Sequence, residues 1–350
     1  MPDEHLPTIT HVSPDQEWLD SRIEETIDPA QPIIDPHHHF SEHWGGYFSA
    51  ELLKDLDAGH QVRGTVYVQC GLGYRESGPE RLKPLGETET VLSIIERIPA
   101  AQRRRHVAAA IVGYADLSLG AEVDEVLEGH LAIAGDRFRG IRCSGAHDPA
   151  FRHGVLARPK KNLYRDEAFR QGFARLKKYG LSFDAWLYHP QLDDLLQLAR
   201  EFPDVPIMLD HIGCPLGVGP YAGKASEVMR EWAPSMKRLA SCQNVHVKLG
   251  GLGTAVFGYR YFEHAVAPSS QVLAEAWTPY FQTCIELFGA RRCMFESNFP
   301  VDRSVGSYHV LWNAFKRIAA GASEPEKMAL FHDNALRFYR LPMPLAGQAA

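Results

Sequence analysis

Histidines recur in this sequence directly after short apolar segments, where imidazole rings could bind a metal ion or transfer protons. The densest group is Asp35-Pro36-His37-His38-His39-Phe40, at the end of the first such segment. Side chains alternate along a strand, so His37 and His39 are expected on one face and His38 on the other. Two neutral imidazoles two residues apart can chelate one divalent ion. An expression tag or a polar turn is the alternative interpretation, and a position within a predicted strand end argues against the tag.

Two later histidines occupy matching positions. His189 ends one apolar segment and precedes Pro190, and His211 ends the next segment in Met208-Leu209-Asp210-His211. Each alone could be an ordinary polar residue at a strand end, and the presence of 17 histidines weakens any single one as a signal. Four histidines at equivalent positions indicate one shared site.

The last apolar segment runs into Met294-Phe295-Glu296-Ser297-Asn298-Phe299-Pro300. Asn298 stands where a catalytic group would be placed, and Glu296 lies two residues earlier on the same face. A buried glutamate must be paired or protonated. Glu296 is therefore a candidate proton acceptor, with a structural ion pair inside the fold as the alternative.

Other polar residues could bind a substrate at the same end. Arg142 and Lys248 could hold a carboxylate or a developing oxyanion, and Lys248 could instead pair with Glu296. A structural role is open for these two and for Gln69. Further candidates for the walls of the pocket are Tyr74, Arg75 and Trp186.

The elements that must position these residues alternate between short apolar runs and amphipathic stretches, which is typical of buried parallel strands and covering helices. The predicted strands are Pro32–Asp35, Gly64–Cys70, Val107–Tyr114, Phe138–Cys143, Leu181–Tyr188, Val205–Asp210, Val245–Leu249 and Arg292–Glu296. The predicted helices are Thr88–Ile98, Leu119–Ile133, Asp166–Tyr179, Pro190–Phe202, Ala225–Ala240, Gln271–Phe288, Ser307–Ala319 and Glu324–Tyr339. Eight units favour an α/β fold of the (β/α)8 TIM barrel type.

An open doubly wound sheet is the alternative fold, but it should carry a glycine-rich phosphate turn, and Gly71-Leu72-Gly73 is too short a match. We predict an N-terminal arm at 1–31, with a short helix around Glu17–Glu25, one domain at 32–340 and a tail at 341–350. Three long loops follow predicted strands and are expected to line the functional face: Ser144–Tyr164, Gly213–Lys224 and Gly250–Ser270.

Composition narrows the classes of partner. The 350 residues carry a net charge of -6, and the only basic run, Arg103-Arg104-Arg105, is better explained as a solvated helix end, so a nucleic-acid partner is not expected. The six cysteines form no CxxC pair, which favours a reducing, cytoplasmic environment. Neither a secretory signal nor a membrane span is indicated. Homo-oligomer formation is left open.

The ordered set of these motifs resembles the amidohydrolase superfamily, and more closely the amidohydrolase-2 group of TIM-barrel metal-dependent hydrolases, from about Ile33 to Tyr339. The resemblance implies that His37 and His39 are the metal pair of the first strand. It further implies that His189 ligates the metal or contacts substrate and that His211 polarises the substrate or acts in proton transfer. The eighth-strand position that normally holds a metal-binding, catalytic Asp is Asn298 here. That change places both the metal and the usual base in question, and Glu296 or His211 could replace the base.

The leading functional hypothesis is hydrolysis of a lactone or cyclic ester of a small carboxylic or sugar acid. A divalent metal, with zinc favoured, would be held by His37, His39 and His189. His211, Glu296 and Asn298 are the catalytic candidates, and the substrate is expected to be a small anion. Non-oxidative decarboxylation of an aromatic acid is the second hypothesis, and a catalytically silent ligand-binding barrel is the third.

Overall fold

Eight parallel strands form the main sheet of this computed structural model, which describes residues 6–100, 106–153 and 159–343. The strands follow one another around the sheet in chain order. Numbered along the chain, they are β1 Pro32–His38, β2 Gln61–Val68, β3 His106–Gly113, β4 Phe138–Arg142, β5 Ser182–Ala185, β6 Ile207–Leu209, β7 Val245–Leu249 and β8 Cys293–Phe295.

The sheet closes between β8 and β1 through the residues at and just beyond the strand ends. The amide of Asn298 donates to the carbonyl of His37 at 2.9 Å, and the amide of His39 donates to the carbonyl of Phe299 at 2.8 Å. Asp35 reinforces this seam, because its carboxylate accepts the hydroxyl of Ser297 at 2.6 Å. The predicted (β/α)8 TIM barrel is therefore confirmed.

Helices surround the barrel, and the first of them belongs to the N-terminal arm. They are α1 Gln16–Asp20, α2 Ser49–Leu56, α3 Leu85–Glu96, α4 Val123–Ala134, α5 Glu167–Tyr179, α6 Leu192–Glu201, α7 Ala225–Leu239, α8 Ser270–Phe288, α9 Tyr308–Ile318, α10 Glu324–Met328 and α11 Asn334–Phe338. The sequence prediction missed α2, whose eight residues are too few for a clear periodic pattern. The predicted helix Glu324–Tyr339 is interrupted by a π-helical turn at Ala329–Asp333.

Two apolar clusters build the core. The larger one lies between strands and helices and includes Trp232, Trp277 and Trp312. A smaller one joins side chains of the strands, such as Val66 and Met294, to residues near the C-terminus. Leu341 is buried in this second cluster, so the start of the predicted tail packs against the domain. Residues 344–350 lie outside the described residues, as does the run Arg103-Arg104-Arg105.

The N-terminal arm is anchored to the barrel rather than projecting from it. Its residues Thr8–Ile9 pair in parallel with Arg152–His153, in the long loop after β4. The predicted helix of the arm is shorter than expected and occupies Gln16–Asp20. Within the described ranges, none of the helices has the length and apolar character needed to cross a membrane.

Candidate active site

A pocket opens at the carboxyl ends of the strands, the end at which barrel enzymes carry their functional residues. Its cavity volume is about 30 Å³. Its lining combines predicted site residues with others that the sequence did not indicate. The lining residues are His11, His39, Trp44, Cys70, Arg142, Trp186, His211, Thr254, Asn298 and Val301.

Glu296 joins two histidines below this pocket. Its Oε1 lies 2.7 Å from Nδ1 of His211, and its Oε2 lies 2.6 Å from Nδ1 of His37. The carboxylate is fully buried, and the amide of His211 also donates to Oε1, at 3.2 Å. The structure thus places Glu296, predicted as a proton acceptor, at the centre of a His-carboxylate-His arrangement.

The turn after β6 brings His211 to Glu296. His211 and the next residue, Ile212, both have positive φ values, 53° and 51°. Residues other than glycine rarely adopt this region of backbone conformation, and those that do cluster at functional sites. Gly251 leaves room for the ring, because a Cβ atom at that glycine would lie 2.1 Å from Nδ1 of His211. The close approach and the φ of 75° both require glycine there.

The two histidines have opposite electrostatic surroundings. Burial lowers the pKa of His211, but the Glu296 carboxylate counteracts it and raises the pKa above its ordinary value. Burial lowers the pKa of His37 well below the ordinary value, and the ammonium of Lys248 lowers it further. His37 is therefore held neutral, the form in which imidazole binds metals, whereas His211 can accept a proton.

Lys248 belongs to a buried ion cluster rather than to the pocket wall. Its Nζ lies 2.7 Å from Asp184 and 3.0 Å from Asp210, and 3.2 Å from Nδ1 of His37. Burial opposes its charge, but the two carboxylates outweigh burial and raise its pKa above the usual value. Because its side chain is fully buried and directed at protein atoms, the prediction that Lys248 contacts substrate, or alternatively pairs with Glu296, is replaced by a pairing with two aspartates.

Asn298 is fixed by a second buried carboxyl group. Its amide nitrogen donates to Asp302 at 2.8 Å and to the hydroxyl of Thr254 at 3.3 Å, which turns its carbonyl oxygen toward Nε2 of His39, 3.3 Å away. Nδ1 of His39 lies 2.7 Å from the carbonyl of Val68, so its proton is placed there and Nε2 is left facing Asn298. The left-handed φ of 52° at Asn298 is one that asparagine tolerates.

Arg142 provides a cation at the wall of the pocket. One guanidinium nitrogen donates to the carbonyl of Gln69, and another lies 3.3 Å from Nε2 of His37. The guanidinium carbon lies 6.0 Å from the ring centroid of Trp186, within cation-π range. Arg142 and Trp186 thus line the pocket together, while Gln69 supports Arg142 through its backbone.

Three predicted site residues lie elsewhere. His189 begins a short 3-10 helix four residues after β5 ends, and its Nδ1 accepts the amide of Leu216 at 3.2 Å. That turn directs the ring toward Tyr221 and away from the cluster of His37. Arg75 pairs with Glu89 at a partly exposed position. Tyr74 precedes Arg75 in the same loop and does not line the pocket.

The structure adds several residues that the sequence analysis did not predict. Asp184 and Asp210 come just before or at the strand ends, where a search for acidic groups beside the histidines would have found them. Asp302 lies four residues after Asn298, one helical turn on, which is also a readable spacing. No local pattern indicated His11 or Trp44, because only tertiary contacts bring the arm to the pocket.

The buried donor set is chemically suited to a divalent cation. Among the described residues, one group of three ligand-type side chains lies close enough to hold an ion, with candidate ligand atoms of His37, His211 and Glu296 within 4.8 Å of one another. Nδ1 of His37 lies 2.6 Å from Oε2 of Glu296. Even so, none of the described residues forms a hydrogen bond of acceptable geometry with this oxygen. A carboxylate oxygen turned toward a neutral imidazole without a shared hydrogen bond is the arrangement that a bound ion would stabilise.

The balance of charges at the site also fits a divalent cation. Two buried cations, Arg142 and Lys248, lie among more buried carboxyl groups than they can neutralise. The carboxyl groups are Asp35, Asp184, Asp210, Glu296 and Asp302. The residues present therefore fit a divalent metal, but with His211 and Glu296 accompanying His37 where His39 and His189 were expected.

Comparison with known proteins gives a consistent family assignment. A family model described as Amidohydrolase matches residues 34–341. A protein of Sinorhizobium fredii named as the uncharacterized protein y4mH is 37% identical over 330 residues, 88% of this chain and 98% of the relative. An L-fucono-1,5-lactonase of Burkholderia ambifaria is 30% identical over 338 residues, 91% of this chain and 98% of the relative.

A solved structure shares the fold. The crystal structure of an amidohydrolase from Burkholderia multivorans with bound zinc has a TM-score of 0.67 and 23% sequence identity. The match covers 89% of this chain and 99% of the solved one. At this identity the likeness establishes a common barrel architecture.

Proposed function

Because the chain belongs to the amidohydrolase family, we propose that it hydrolyses a lactone or related cyclic ester of a small carboxylic or sugar acid. The family membership confirms the resemblance read from the sequence motifs and the prediction of an amidohydrolase-type hydrolase. The observation that carries the proposal is the contact between His211 and Glu296 beside a pocket that also exposes Arg142. The name of the lactonase relative supports the choice of substrate class.

The residues of the pocket supply the steps that ester hydrolysis needs. Nδ1 of His211 is committed to Glu296, so Nε2 is the nitrogen that accepts the proton of the attacking water. The Glu296 carboxylate stabilises the imidazolium that forms and fixes the ring orientation. As the carbon–oxygen bond of the ring breaks, the imidazolium returns its proton to the departing alkoxide. The product is a hydroxy acid, and its carboxyl group releases one proton at neutral pH.

Arg142 supplies the positive charge for substrate. Its guanidinium is positioned to bind the carbonyl oxygen, on which negative charge develops during attack. Trp186 offers a flat apolar surface beside it for the substrate ring. A carboxylate or several hydroxyl groups on the substrate would also be accommodated by this cation, which favours an anionic or sugar-derived lactone.

We propose that His37, His211 and Glu296 would hold zinc, since two imidazoles and a carboxylate are ligands that zinc accepts. Binding of the ion would replace the hydrogen bond between His211 and Glu296, so the proton transfer by His211 described above belongs to the metal-free site. When bound, a divalent cation supplies Lewis-acid polarisation of an oxygen. A cytoplasmic location, homo-oligomer formation and the exclusion of nucleic-acid and membrane partners stay predictions.

The test is proton release from a panel of sugar and aromatic lactones, including L-fucono-1,5-lactone, followed with a pH indicator above the spontaneous rate. We expect turnover on one class of lactone and a loss of about 10²–10⁴-fold in kcat for His211→Asn. The exposed His43 offers a matched control, since His43→Asn should keep wild-type turnover. Release of CO2 from aromatic acids without net acid production would instead favour the decarboxylase alternative, and silence on both panels would favour a ligand-binding barrel.

A further inference from the structure

The N-terminal arm crosses the mouth of the barrel and reaches the pocket. His11 of the arm and Trp44, in the loop after β1, both line the pocket. Their ring centroids lie 6.1 Å apart with an interplanar angle of 82°, an edge-to-face contact. The Trp44 ring also lies 6.1 Å from that of His39. The arm and this loop therefore meet directly above a histidine of the site.

Backbone and side-chain contacts hold the arm in this position from both sides. The hydroxyl of Ser13 donates to the carbonyl of Trp44 at 3.0 Å. Before His11, the amide of Arg152 donates to the carbonyl of Pro7 at 2.9 Å, within the short parallel pairing to the loop after β4. The arm is thus fixed on either side of His11.

The contacts continue to a third loop. The indole nitrogen of Trp18 donates to the carbonyl of His264 at 2.9 Å, and Arg22 donates to the carbonyl of Ala267 at 3.1 Å. Both acceptors lie in the long loop after β7. The N-terminal arm therefore connects the loops after β1, β4 and β7, which are far apart in the chain, and it passes over the pocket.

We propose that His11 and Trp44 are specificity-determining residues that form the outer wall of the pocket and limit it to compact, oxygen-rich lactones. This inference rests on the proposed lactone hydrolysis for its substrate class. The Trp44 ring presents an apolar face to the substrate ring, and the His11 ring packs edge-to-face against Trp44 in the same wall of the pocket.

The first measurement is selectivity between a compact and a bulky lactone. The ratio of kcat/KM for L-fucono-1,5-lactone to that for dihydrocoumarin is determined for the wild type, His11→Ala and Trp44→Ala. We expect each alanine variant to lower the ratio about three- to tenfold, as expected for loss of one aromatic contact. Trp44→Phe should restore most of it. Val12→Ala and Ile23→Ala, at exposed arm positions 41% and 89% accessible, are matched controls.

A second measurement does not depend on turnover. Cys70 lines the pocket and is the half-buried cysteine of the six, so its alkylation by N-ethylmaleimide reports how open the pocket is. Peptide mass spectrometry should show faster labelling of Cys70 in His11→Ala and Trp44→Ala than in the wild type or in Val12→Ala. Thermal unfolding of each variant separates loss of the wall from loss of the fold.

The outcomes distinguish the two proposals. Unchanged selectivity in an active enzyme overturns the role of His11 and Trp44, whatever the labelling shows. A wild type that is inactive on every lactone, with faster Cys70 labelling in the variants, overturns the proposed function but supports the wall formed by the arm. Inactivity together with unchanged labelling overturns both.

Discussion

The Oε1 atom of Glu296 accepts both the ring Nδ1 proton and the backbone amide of His211, at 2.7 and 3.2 Å. Two contacts from one residue to one oxygen fix the ring and its tautomer together. They also account for the direction of the pKa change, because a buried carboxylate stabilises the imidazolium.

Replacement of Glu296 by Gln keeps the shape of the side chain but removes its charge. Without the carboxylate, the pKa of His211 falls, since Glu296 is what raises it against burial. Because the base acts when neutral, the acidic limb of the pH–rate profile should move to lower pH. We also expect kcat to fall about 10²–10⁴-fold. A profile of kcat/KM against pH for the variant and for Glu231→Gln, a control at an exposed carboxyl group, checks both effects.

His37 and His189 should respond differently to a test of metal content. His37 belongs to the three-ligand cluster, whereas His189 has its Nδ1 occupied by an amide. After equilibration with zinc and gel filtration, His37→Ala should lose bound metal and turnover, and His189→Ala should retain the metal. Elemental analysis by mass spectrometry gives the stoichiometry. Near-normal turnover in His37→Ala, or metal loss confined to His189→Ala, would contradict the assignment.

Asn298→Asp introduces the residue type that the resemblance in sequence implies for this position, but in a setting built for an amide. The change removes two donated hydrogen bonds and places a carboxyl group against Asp302. In the presence of a chelator, we expect the free energy of unfolding at pH 8 to fall by about 1–3 kcal/mol. The loss should be smaller at pH 5, where a shared proton can bridge the two carboxyl groups. Urea unfolding at both pH values measures it, and an equal loss at both would argue against carboxyl repulsion.

Asp302→Asn tests the pH dependence of stability. Burial raises the pKa of Asp302 from 3.8 to about 7, so the folded state holds a proton that the unfolded state releases. Stability linked to this group is present at low pH and is lost as pH rises from about 4 to 7. The variant lacks this loss, so its free energy of unfolding relative to wild type should rise across that window, by on the order of 1.4 kcal/mol per pH unit at full linkage. The free energy of unfolding is measured by urea titration at several pH values. If it changed with pH in parallel for the variant and the wild type, the raised pKa of Asp302 would be refuted.

The sequence by itself determined the barrel and the location of the site. Eight apolar runs alternating with amphipathic stretches indicated the strands, because buried parallel strands need apolar residues on both faces. Polar residues at the run ends indicated the functional face, since the carboxyl ends of parallel strands meet at one end of a barrel. The segment β7 was predicted with its observed limits, Val245–Leu249, while other limits differ by a few residues.

The tertiary structure decided which residues meet. His189 and His211 look equivalent in the sequence, yet the left-handed turn at His211 directs its ring to Glu296, whereas the 3-10 turn at His189 directs that ring to Tyr221. Lys248 was placed correctly in its strand, but its partners come from β5 and from the turn after β6. His11 reaches the pocket only because the arm pairs with a distant loop. Contacts between residues far apart in the chain depend on backbone turns and on packing, and neither leaves a periodic pattern in the sequence.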